Sequence, residues 1–482
     1  MPNPKTTIRI LSLLLMIEGF CMWLTIPVTL IYRESGLVAF LGSGAITALT
    51  GFAGYFFTRK AHLEVTKRDA YVIVTSGWTL FSLFGTLPFL ISGAIPNFTN
   101  AFFETISGFT TTGASILNDI ESLSHGILFW RSLTQWLGGM GIIVLSLVIL
   151  PVLGIGGMQL FVAEVPGPTP DKLHPRVKET AKRLWSIYVI FTVAEILLLW
   201  LGDMNLFDAV CHSFTTMATG GYSTKQASIA YWDSPYIHYV ITLFMFLAGT
   251  NFSLSYFALH LRFRKVFRNE EFRYYLGFVA GFTLLVSLGL YFHEGVGPER
   301  SFRESIFQVV SIITTTGYVT ADYMAWVPAL TVLIFVLMFF GGSGGSTGGG
   351  PKIMRIMILL KNSTQELKRL IHPNAVIPVR INKSAVEGEV VTNVLAFIAL
   401  YGVIAIISMI IMSALGCDFE TSIGSVAATL GNIGPGIGGV GPVENYADLG
   451  GAAKWFLSLL MLVGRLELFT VLILFSPAFW KK

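Results

Sequence analysis

The residues best suited to chemistry in this 482-residue chain are threonines, serines and single glycines, which recur in four similar segments about a hundred residues apart. Each segment opens with an aromatic residue and an acid, continues as a short amphipathic run, and ends in small residues around one glycine. Such spacing marks an internal repeat. The segments are FFETISGFTTTGAS (102–115), FDAVCHSFTTMATGGYST (207–224), FRESIFQVVSIITTTGYVT (302–320) and FETSIGSVAATLGNIGPGIGG (419–439), and their central glycines are Gly113, Gly220, Gly317 and Gly434.

These residue types predict coordination of a cation that has lost its water, because rings of backbone carbonyls replace the hydration shell of potassium in ion filters. Each segment predicts a half-helix followed by a coil, with half-helices at 103–109, 207–216, 302–313 and 419–430. Entering from outside, a half-helix points the negative end of its dipole at the bilayer centre. Coil at that depth persists only inside protein or along a water-filled cavity, and glycine provides the backbone angles that other residues adopt at a cost.

The composition requires a membrane protein around these segments. The chain is 53% hydrophobic and only 12% charged, with a mean hydropathy of +0.68, whereas a soluble domain is about 25% charged. A span needs about 20 mostly apolar residues. Segments of this kind lie near 8–31, 36–57, 70–94, 127–150, 184–201, 235–260, 273–293, 326–360, 391–416 and 453–476. We therefore predict an all-α polytopic membrane protein with ten spans, in which two leading helices precede four helix–pore loop–helix repeats around a central pore.

The division of the chain follows from the repeat. The two leading helices occupy residues 1–66, and the four repeats occupy 67–170, 171–268, 269–383 and 384–482. If both termini lie on the same side of the membrane, most of the 32 lysines and arginines fall in segments on that side. Cytoplasmic loops are enriched in these residues. This asymmetry predicts cytoplasmic termini and four pore loops on the outer side. The net charge of +4 is explained by that distribution and does not indicate nucleic acid binding.

Acids near the start of each half-helix have two interpretations. Glu104, Asp208, Glu304 and Glu420 suit helix capping and the positive end of the dipole. They also suit an outer mouth that attracts cations. We favour the capping role over direct ion coordination.

Residues 341–350 read GGSGGSTGGG and interrupt the predicted span 326–360. Glycine costs a helix about 1 kcal/mol relative to alanine, so this stretch cannot stay helical. Its flanks are apolar, which predicts a break inside the membrane on the cytoplasmic side of the pore loops, where a mobile polar segment would act as a gate. A flexible linker outside the membrane is the alternative.

Arg465 lies in the middle of the last predicted span. A charge at bilayer depth is costly and is a functional candidate by default. We expect it to face the pore, near residues 341–350, and to obstruct cations. A structural ion pair with Glu467 is the alternative, but residues two apart do not share a helix face.

The filter segments TTTG, ATGG, TTTGYVT and GNIGPG resemble the Trk/Ktr/HKT potassium-transporter superfamily. The two leading helices, GGSGGSTGGG and VGRLELF resemble its bacterial TrkH branch. The resemblance covers the whole chain and implies that the filter glycines and the carbonyls before them bind potassium. The implied filter residues are Thr111, Thr112, Gly113, Ala218, Thr219, Gly220, Thr315, Thr316, Gly317, Asn432, Ile433 and Gly434. The implied gate comprises Arg465 and the glycine-rich loop, with Gly345, Ser346 and Thr347 at its centre.

The resemblance also implies potassium uptake across the bacterial inner membrane by a homodimer, controlled by a cytosolic nucleotide-binding ring of the TrkA type. The basic inner segments 172–183, 262–273 and 352–383 are candidate docking sites for that ring. It implies no organic cofactor in this chain.

A gated passive pore and a symporter coupled to protons or sodium both remain open. The few intramembrane acids, chiefly Glu18, Glu195 and Glu467, favour the pore. An enzyme is disfavoured because the eight histidines are scattered.

Overall fold

The computed structural model describes residues 2–60, 65–141 and 177–481. These residues are predominantly helical. In the first part the helices are Pro4–Trp23, Ile26–Ile31, Leu37–Thr58, Lys67–Phe84, Leu87–Ser92, Phe98–Phe109 and His125–Met140. In the second part they are Val177–Leu201, Leu206–Met217, Pro235–Ala248, Phe252–Leu259, Phe263–Arg268, Glu270–His293, Pro298–Ile313, Pro328–Leu337, Ile353–Ile371, Gly388–Ala414, Phe419–Leu430, Gly451–Arg465, Leu468–Leu472 and Pro477–Trp480.

Short elements complete the described chain. Three 3-10 turns lie at Ser228–Tyr231, Gly438–Val440 and Ile473–Phe475. Strands Arg380–Ile381 and Ser384–Ala385 pair antiparallel, with Arg380 opposite Ala385. The two residues between the strands have positive φ angles of 48° and 71°, as a tight two-residue hairpin turn requires. This hairpin was not predicted from the sequence.

Long apolar helices confirm the membrane architecture. Within the described residues, six helices are long and apolar enough to span, and two further helix pairs reach that length if each bent pair is one span. The predicted span 127–150 is described only to residue 141. The predicted span 326–360 is broken, as expected, between Leu337 and Ile353.

Two predicted spans are sharply bent. The span predicted at 235–260 turns by 114° after Ala248, and the span predicted at 453–476 turns by 116° after Arg465. The bends contain Gly-Thr-Asn at 249–251 and Arg-Leu-Glu at 465–467, but the apolar flanks keep the average over a long window high, so that average does not reveal them. At the first bend Asn251 begins a new helix by accepting the N–H of Ser253 at 2.8 Å.

The leading helices Pro4–Trp23 and Leu37–Thr58 pack along small residues. A methyl group on Gly19 would lie 2.7 Å from the carbonyl oxygen of Gly44, and one on Gly51 would lie 2.6 Å from that of Ser12. Small residues permit such close approach of helix backbones in a membrane. The rest of the core forms two main apolar clusters, one joining the first and fourth repeats and one joining the second and third.

Four short helices, here called the first to fourth pore helices, form the centre of the molecule: Phe98–Phe109, Leu206–Met217, Pro298–Ile313 and Phe419–Leu430. The fourth has its predicted bounds and the second differs by one residue at each end. The first and third begin five and four residues earlier than predicted. Asn97 caps the first by accepting the N–H of Asn100 at 3.1 Å, and Pro298 stands in the first turn of the third, where its missing N–H costs nothing.

Candidate functional site

All four pore helices end in the same backbone geometry. The residue after the helix cap donates its N–H three residues back, and the next residue donates five residues back, which is the Schellman ending. In the first loop Thr111 donates to the Gly108 carbonyl and Thr112 to that of Ser107, both at 2.9 Å. The corresponding donors in the other loops are Thr219 and Gly220, Thr315 and Thr316, and Asn432 and Ile433, with distances between 2.8 and 3.2 Å.

A left-handed residue follows each helix cap. Thr111, Thr219 and Thr315 have φ angles of 51°, 54° and 60°, and Asn432 has 54°. Glycine usually occupies this position, and a β-branched residue there is a genuine outlier. Such strain costs about 1–3 kcal/mol per residue and persists only where the surroundings impose it. Three threonines in one strained conformation, at equivalent places, indicate a shared structural demand.

The four loops close into a ring. In each loop, the residue after the Schellman ending is a glycine with a positive φ, here called the ring glycine. A methyl group added to it would lie less than 3.0 Å from a carbonyl oxygen of the next loop. In ring order, Gly113 faces the carbonyl of Gly220, Gly221 that of Thr316, Gly317 that of Ile433, and Gly434 that of Thr112. The fourth contact returns to the first loop, so the carbonyls of Thr112, Gly220, Thr316 and Ile433 encircle one axis.

The register of the second loop differs from the prediction by one residue. Gly221, with φ of 75°, is the equivalent of Gly113, Gly317 and Gly434. The predicted glycine, Gly220, therefore corresponds to Thr112. The predicted carbonyl pair, Ala218 and Thr219, is shifted by the same one residue. Ala218 is the helix cap, and the residues equivalent to Thr111 and Thr112 are Thr219 and Gly220. Adjacent glycines in ATGG made the motif ambiguous, and the hydrogen bonds resolve it.

An open cavity lies over the ring, lined by Gly113, Gly221, Gly317 and Gly434 together with residues of the following coils. Oxygen ligands around an axis, at the negative ends of four helices, suit a dehydrated monovalent cation.

The glycine-rich segment 341–350 packs against the opposite face of the ring. The N–H of Gly349 donates to the Thr315 hydroxyl at 2.6 Å, and the Thr347 hydroxyl donates to the carbonyl of Met217 at 2.9 Å. The segment therefore contacts the ends of the second and third pore helices. Gly345 has a φ of 75°, and Ser346 donates to the Ser343 carbonyl within the segment at 2.6 Å. The predicted break inside the helix bundle, rather than an external linker, is what the structure shows.

Arg465 reaches the same segment. Its guanidinium donates to the Thr347 carbonyl at 2.7 Å and to the Gly138 carbonyl at 3.3 Å, and the residue is only 4% exposed. Glu467 forms its ion pair with Arg355 instead. The expected contact between Arg465 and residues 341–350 is therefore present, and the alternative pairing with Glu467 is not.

The chain matches the family described as TrkH, cation transport protein, over residues 37–482. This chain belongs to the TrkH family. It is 43% identical over 479 residues to the Trk system potassium uptake protein TrkH of Escherichia coli K12, covering 98% of this chain and 99% of that protein. It is 42% identical over 481 residues to the protein of the same name from Halomonas elongata, with 99% of both chains covered.

A solved structure supports the same family. The crystal structure of the potassium transporter TrkH from Vibrio parahaemolyticus is similar with a TM-score of 0.89 and 39% sequence identity, and 99% of each chain is covered. This similarity confirms the predicted class, a helical multi-span membrane protein.

Within this TrkH-family site the acids have mixed roles. Asp208 and Glu420 lie in the first turns of their helices, as predicted. Glu104 and Glu304 do not, because their helices begin earlier. Glu104 is buried and accepts the Arg131 Nε at 2.6 Å, and Glu304 accepts the Arg300 Nε at 2.6 Å. The capping interpretation is therefore wrong for these two. The second and fourth pore helices are capped by Asn205 and Asp418, so Asp208 and Glu420 fit only the dipole part of the prediction.

Sequence reasoning missed the side chains that hold the site from the surrounding helices. Gln135 and Arg131 contact the second loop. Asn251, Glu271 and Lys352 hold residues 341–350 by bonds to the backbone of Gly344 and Gly348. Glycines in the second helix of three repeats indicated where these helices pack against the pore helices. Gly138, Gly249 and Gly464 each lie too close to the end of a pore helix to accept a side chain.

Proposed function

We propose that this chain is the pore of a potassium uptake system, in which the four-loop ring selects potassium and residues 341–350 with Arg465 form the gate. The observation that carries the proposal is the closed ring, in which each loop is held in the same strained turn and contacts a carbonyl of the next. The relatives named as potassium uptake proteins support the same substrate.

Potassium is expected on the ring axis as the transported ion. Its coordinating residues are Thr111, Thr112 and Gly113 in the first loop and Thr315, Thr316 and Gly317 in the third. In the second loop they are Thr219, Gly220 and Gly221 after the correction of register, and in the fourth they are Asn432, Ile433 and Gly434.

The gate is proposed from its position. Residues 341–350 contact the ends of the second and third pore helices, and Arg465 adds a positive charge there. Opening requires at least the bonds from Arg465 to Thr347 and from Gly349 to Thr315 to break. A single repeat carries this segment, so movement of one segment opens the pore without disturbing the other three loops.

A cytosolic regulatory subunit has a physical route to this gate. Glu270 and Glu271 are adjacent at the start of one helix. Glu270 accepts Lys361 at 2.6 Å and the N–H of Asn382 in the hairpin at 3.0 Å. Glu271 accepts the N–H of Gly344 in the gate at 2.6 Å. A partner that displaces the hairpin would therefore pull on the gate. We propose a TrkA-type nucleotide-binding ring as that partner, with the chain acting as a homodimer in the bacterial inner membrane and both termini in the cytoplasm.

A coupled potassium symporter is the second candidate. Glu18 and Glu195 are fully buried acids, 2% and 0% exposed, that a coupled proton would be able to occupy. Glu467 is already paired with Arg355. The ring provides ion selection in either case, so only a flux measurement separates the two.

The test is rubidium-86 uptake into potassium-loaded liposomes that contain the purified chain, with external potassium, sodium or lithium as competitor. Uptake blocked by potassium alone, without a proton or sodium gradient, supports the pore. Uptake that appears only with such a gradient supports the symporter. Equal competition by all three ions contradicts potassium selection by the ring.

A further inference from the structure

The second filter loop lacks a side chain that the other three loops have. At the position before the ring glycine, the other loops carry Thr112, Thr316 and Ile433, and this loop carries Gly220. No positive φ requires a glycine there, because the left-handed residues of this loop are Thr219 and Gly221. The reason for Gly220 must therefore lie in its surroundings.

Gln135 occupies the space that a side chain at residue 220 would fill. A methyl group on Gly220 would lie less than 3.0 Å from the amide carbon, oxygen and nitrogen of Gln135. Gln135 comes from helix His125–Met140 of the first repeat and is fully buried. A glutamine side chain from a neighbouring repeat thus replaces the side chain that the loop itself lacks.

The amide of Gln135 makes two hydrogen bonds to the loop backbone. Its Nε2 donates to the Gly220 carbonyl oxygen at 2.7 Å, and its Oε1 accepts the N–H of Tyr222 at 3.0 Å. The Gly220 oxygen is one of the four that encircle the axis. A carbonyl has two lone pairs, so one bond from Gln135 fixes its direction and leaves the second lone pair for an ion.

Arg131 extends the same contact. It lies one helical turn before Gln135, on the same helix face. Its Nη1 donates to the Ser223 carbonyl at 2.8 Å, its guanidinium lies 3.6 Å from the centre of the Tyr222 ring, and its Nε donates to Glu104 at 2.6 Å. The backbone from Gly220 to Ser223 is therefore held by two buried side chains from another repeat.

We propose that Gln135 is a positioning residue for ion selection, which orients the Gly220 carbonyl, and that Gly220 is glycine in order to admit it. This inference rests on the proposed function of the ring. If Gln135 only filled space, a side chain of similar volume would replace it without effect on selection. If it orients a ring carbonyl, loss of the amide changes discrimination between ions while the chain still folds.

The first variant is Gln135→Met, which keeps volume and helix propensity and removes both hydrogen bonds. Uptake of rubidium-86 into liposomes is measured with potassium or sodium as competitor. Because an unsatisfied buried carbonyl is costly, we expect the potassium-over-sodium competition ratio to fall about tenfold, which is about 1.4 kcal/mol. Ser132→Ala is the matched control, since Ser132 is equally buried on the same helix and donates to its own helix at Leu128.

Three further variants test the fit between Gln135 and Gly220. They also test the positioning role of Gln135 if the Gln135→Met variant does not fold. Gly220→Ala alone introduces the clash described above, and Gln135→Ala alone leaves a gap. The double variant Gln135→Ala with Gly220→Ala removes the clash and partly fills the gap. We expect the double variant to discriminate better than Gly220→Ala, because the clash is gone, and no better than Gln135→Ala, because both lack the amide.

The outcomes are distinct. A wild-type chain that does not prefer potassium overturns the proposed function and this inference with it. A wild-type chain that prefers potassium, beside a folded Gln135→Met variant with the same ratio, overturns the inference alone. So does a double variant whose losses simply add, and so does a double variant that recovers the wild-type ratio without the amide.

Discussion

The ring and the gate segment touch each other but are stabilised in different ways. The ring repeats one backbone geometry four times, and a glycine of each loop packs against a carbonyl of the next loop. The segment 341–350 occurs once and is held by single side chains, including Arg465, Asn251 and Glu271. Under the proposed function, selection uses what the repeats share, and gating uses what one repeat adds.

The largest effect is expected where the ring is tightest. Gly317→Ala places a methyl group less than 3.0 Å from the Ile433 carbonyl at a φ of 80°. Strain of about 3 kcal/mol corresponds to about a hundredfold loss in the potassium-over-sodium ratio. Competition of rubidium-86 uptake measures it. Gly277→Ala is the control, because that glycine has open space around it. An unaltered ratio in a folded Gly317→Ala protein would show that this loop takes no part in selection.

Arg465→Ala tests the gate side of the comparison. It removes bonds to the Thr347 and Gly138 carbonyls. One hydrogen bond to a charged group contributes about 1.5–3 kcal/mol, so we expect rubidium flux through the isolated chain to rise about tenfold or more, with the ion ratio unchanged. Arg264→Ala, at an exposed position of the short helix Phe263–Arg268, should leave flux unchanged. A variant whose flux stays low, or whose selectivity changes with its flux, would contradict the separation of gate from filter.

The corrected register of the second loop predicts unequal effects of neighbouring glycines. Gly221→Ala forces a left-handed alanine against the Thr316 carbonyl, whereas Gly220→Ala meets the Gln135 side chain, which can shift. A left-handed residue costs about 1–2 kcal/mol, so the selectivity ratio should be about tenfold lower for Gly221→Ala. The same competition assay compares the two, and a larger loss for Gly220→Ala would restore the original register.

The smallest effect is expected at the link between gate and hairpin. Glu271→Gln keeps an acceptor for the Gly344 N–H but removes its charge. Charge-assisted hydrogen bonds are about twice as strong as neutral ones, so flux through the isolated chain should rise by about threefold. Glu366→Gln, whose partner Arg369 is one turn away on the same helix, should have no effect. Flux that falls in Glu271→Gln would mean that this bond holds the gate open.

The sequence predicts the repeats and the broken span at 341–350, because periodicity and glycine content determine them. The contact between that segment and Arg465 is expected from the cost of a charge at bilayer depth and from the family resemblance. The sequence does not determine the bends after Ala248 and Arg465, since the apolar flanks keep the average hydropathy high across both. The starts of the first and third pore helices depend on caps at Asn97 and Pro298, outside the repeated motif. The role proposed for Gln135 depends on its contact with Gly220, which lies 85 residues later in another repeat. No local sequence pattern reveals such a contact.

The most direct test of the ring is a crystal of this chain grown with rubidium or thallium and measured for anomalous scattering. The account predicts a peak on the axis among the carbonyl oxygens of Thr112, Gly220, Thr316 and Ile433, weakened by excess potassium and unaffected by excess sodium. Ions found only in the outer cavity, or a peak on the axis that sodium removes as well as potassium does, would contradict selection by the four-loop ring.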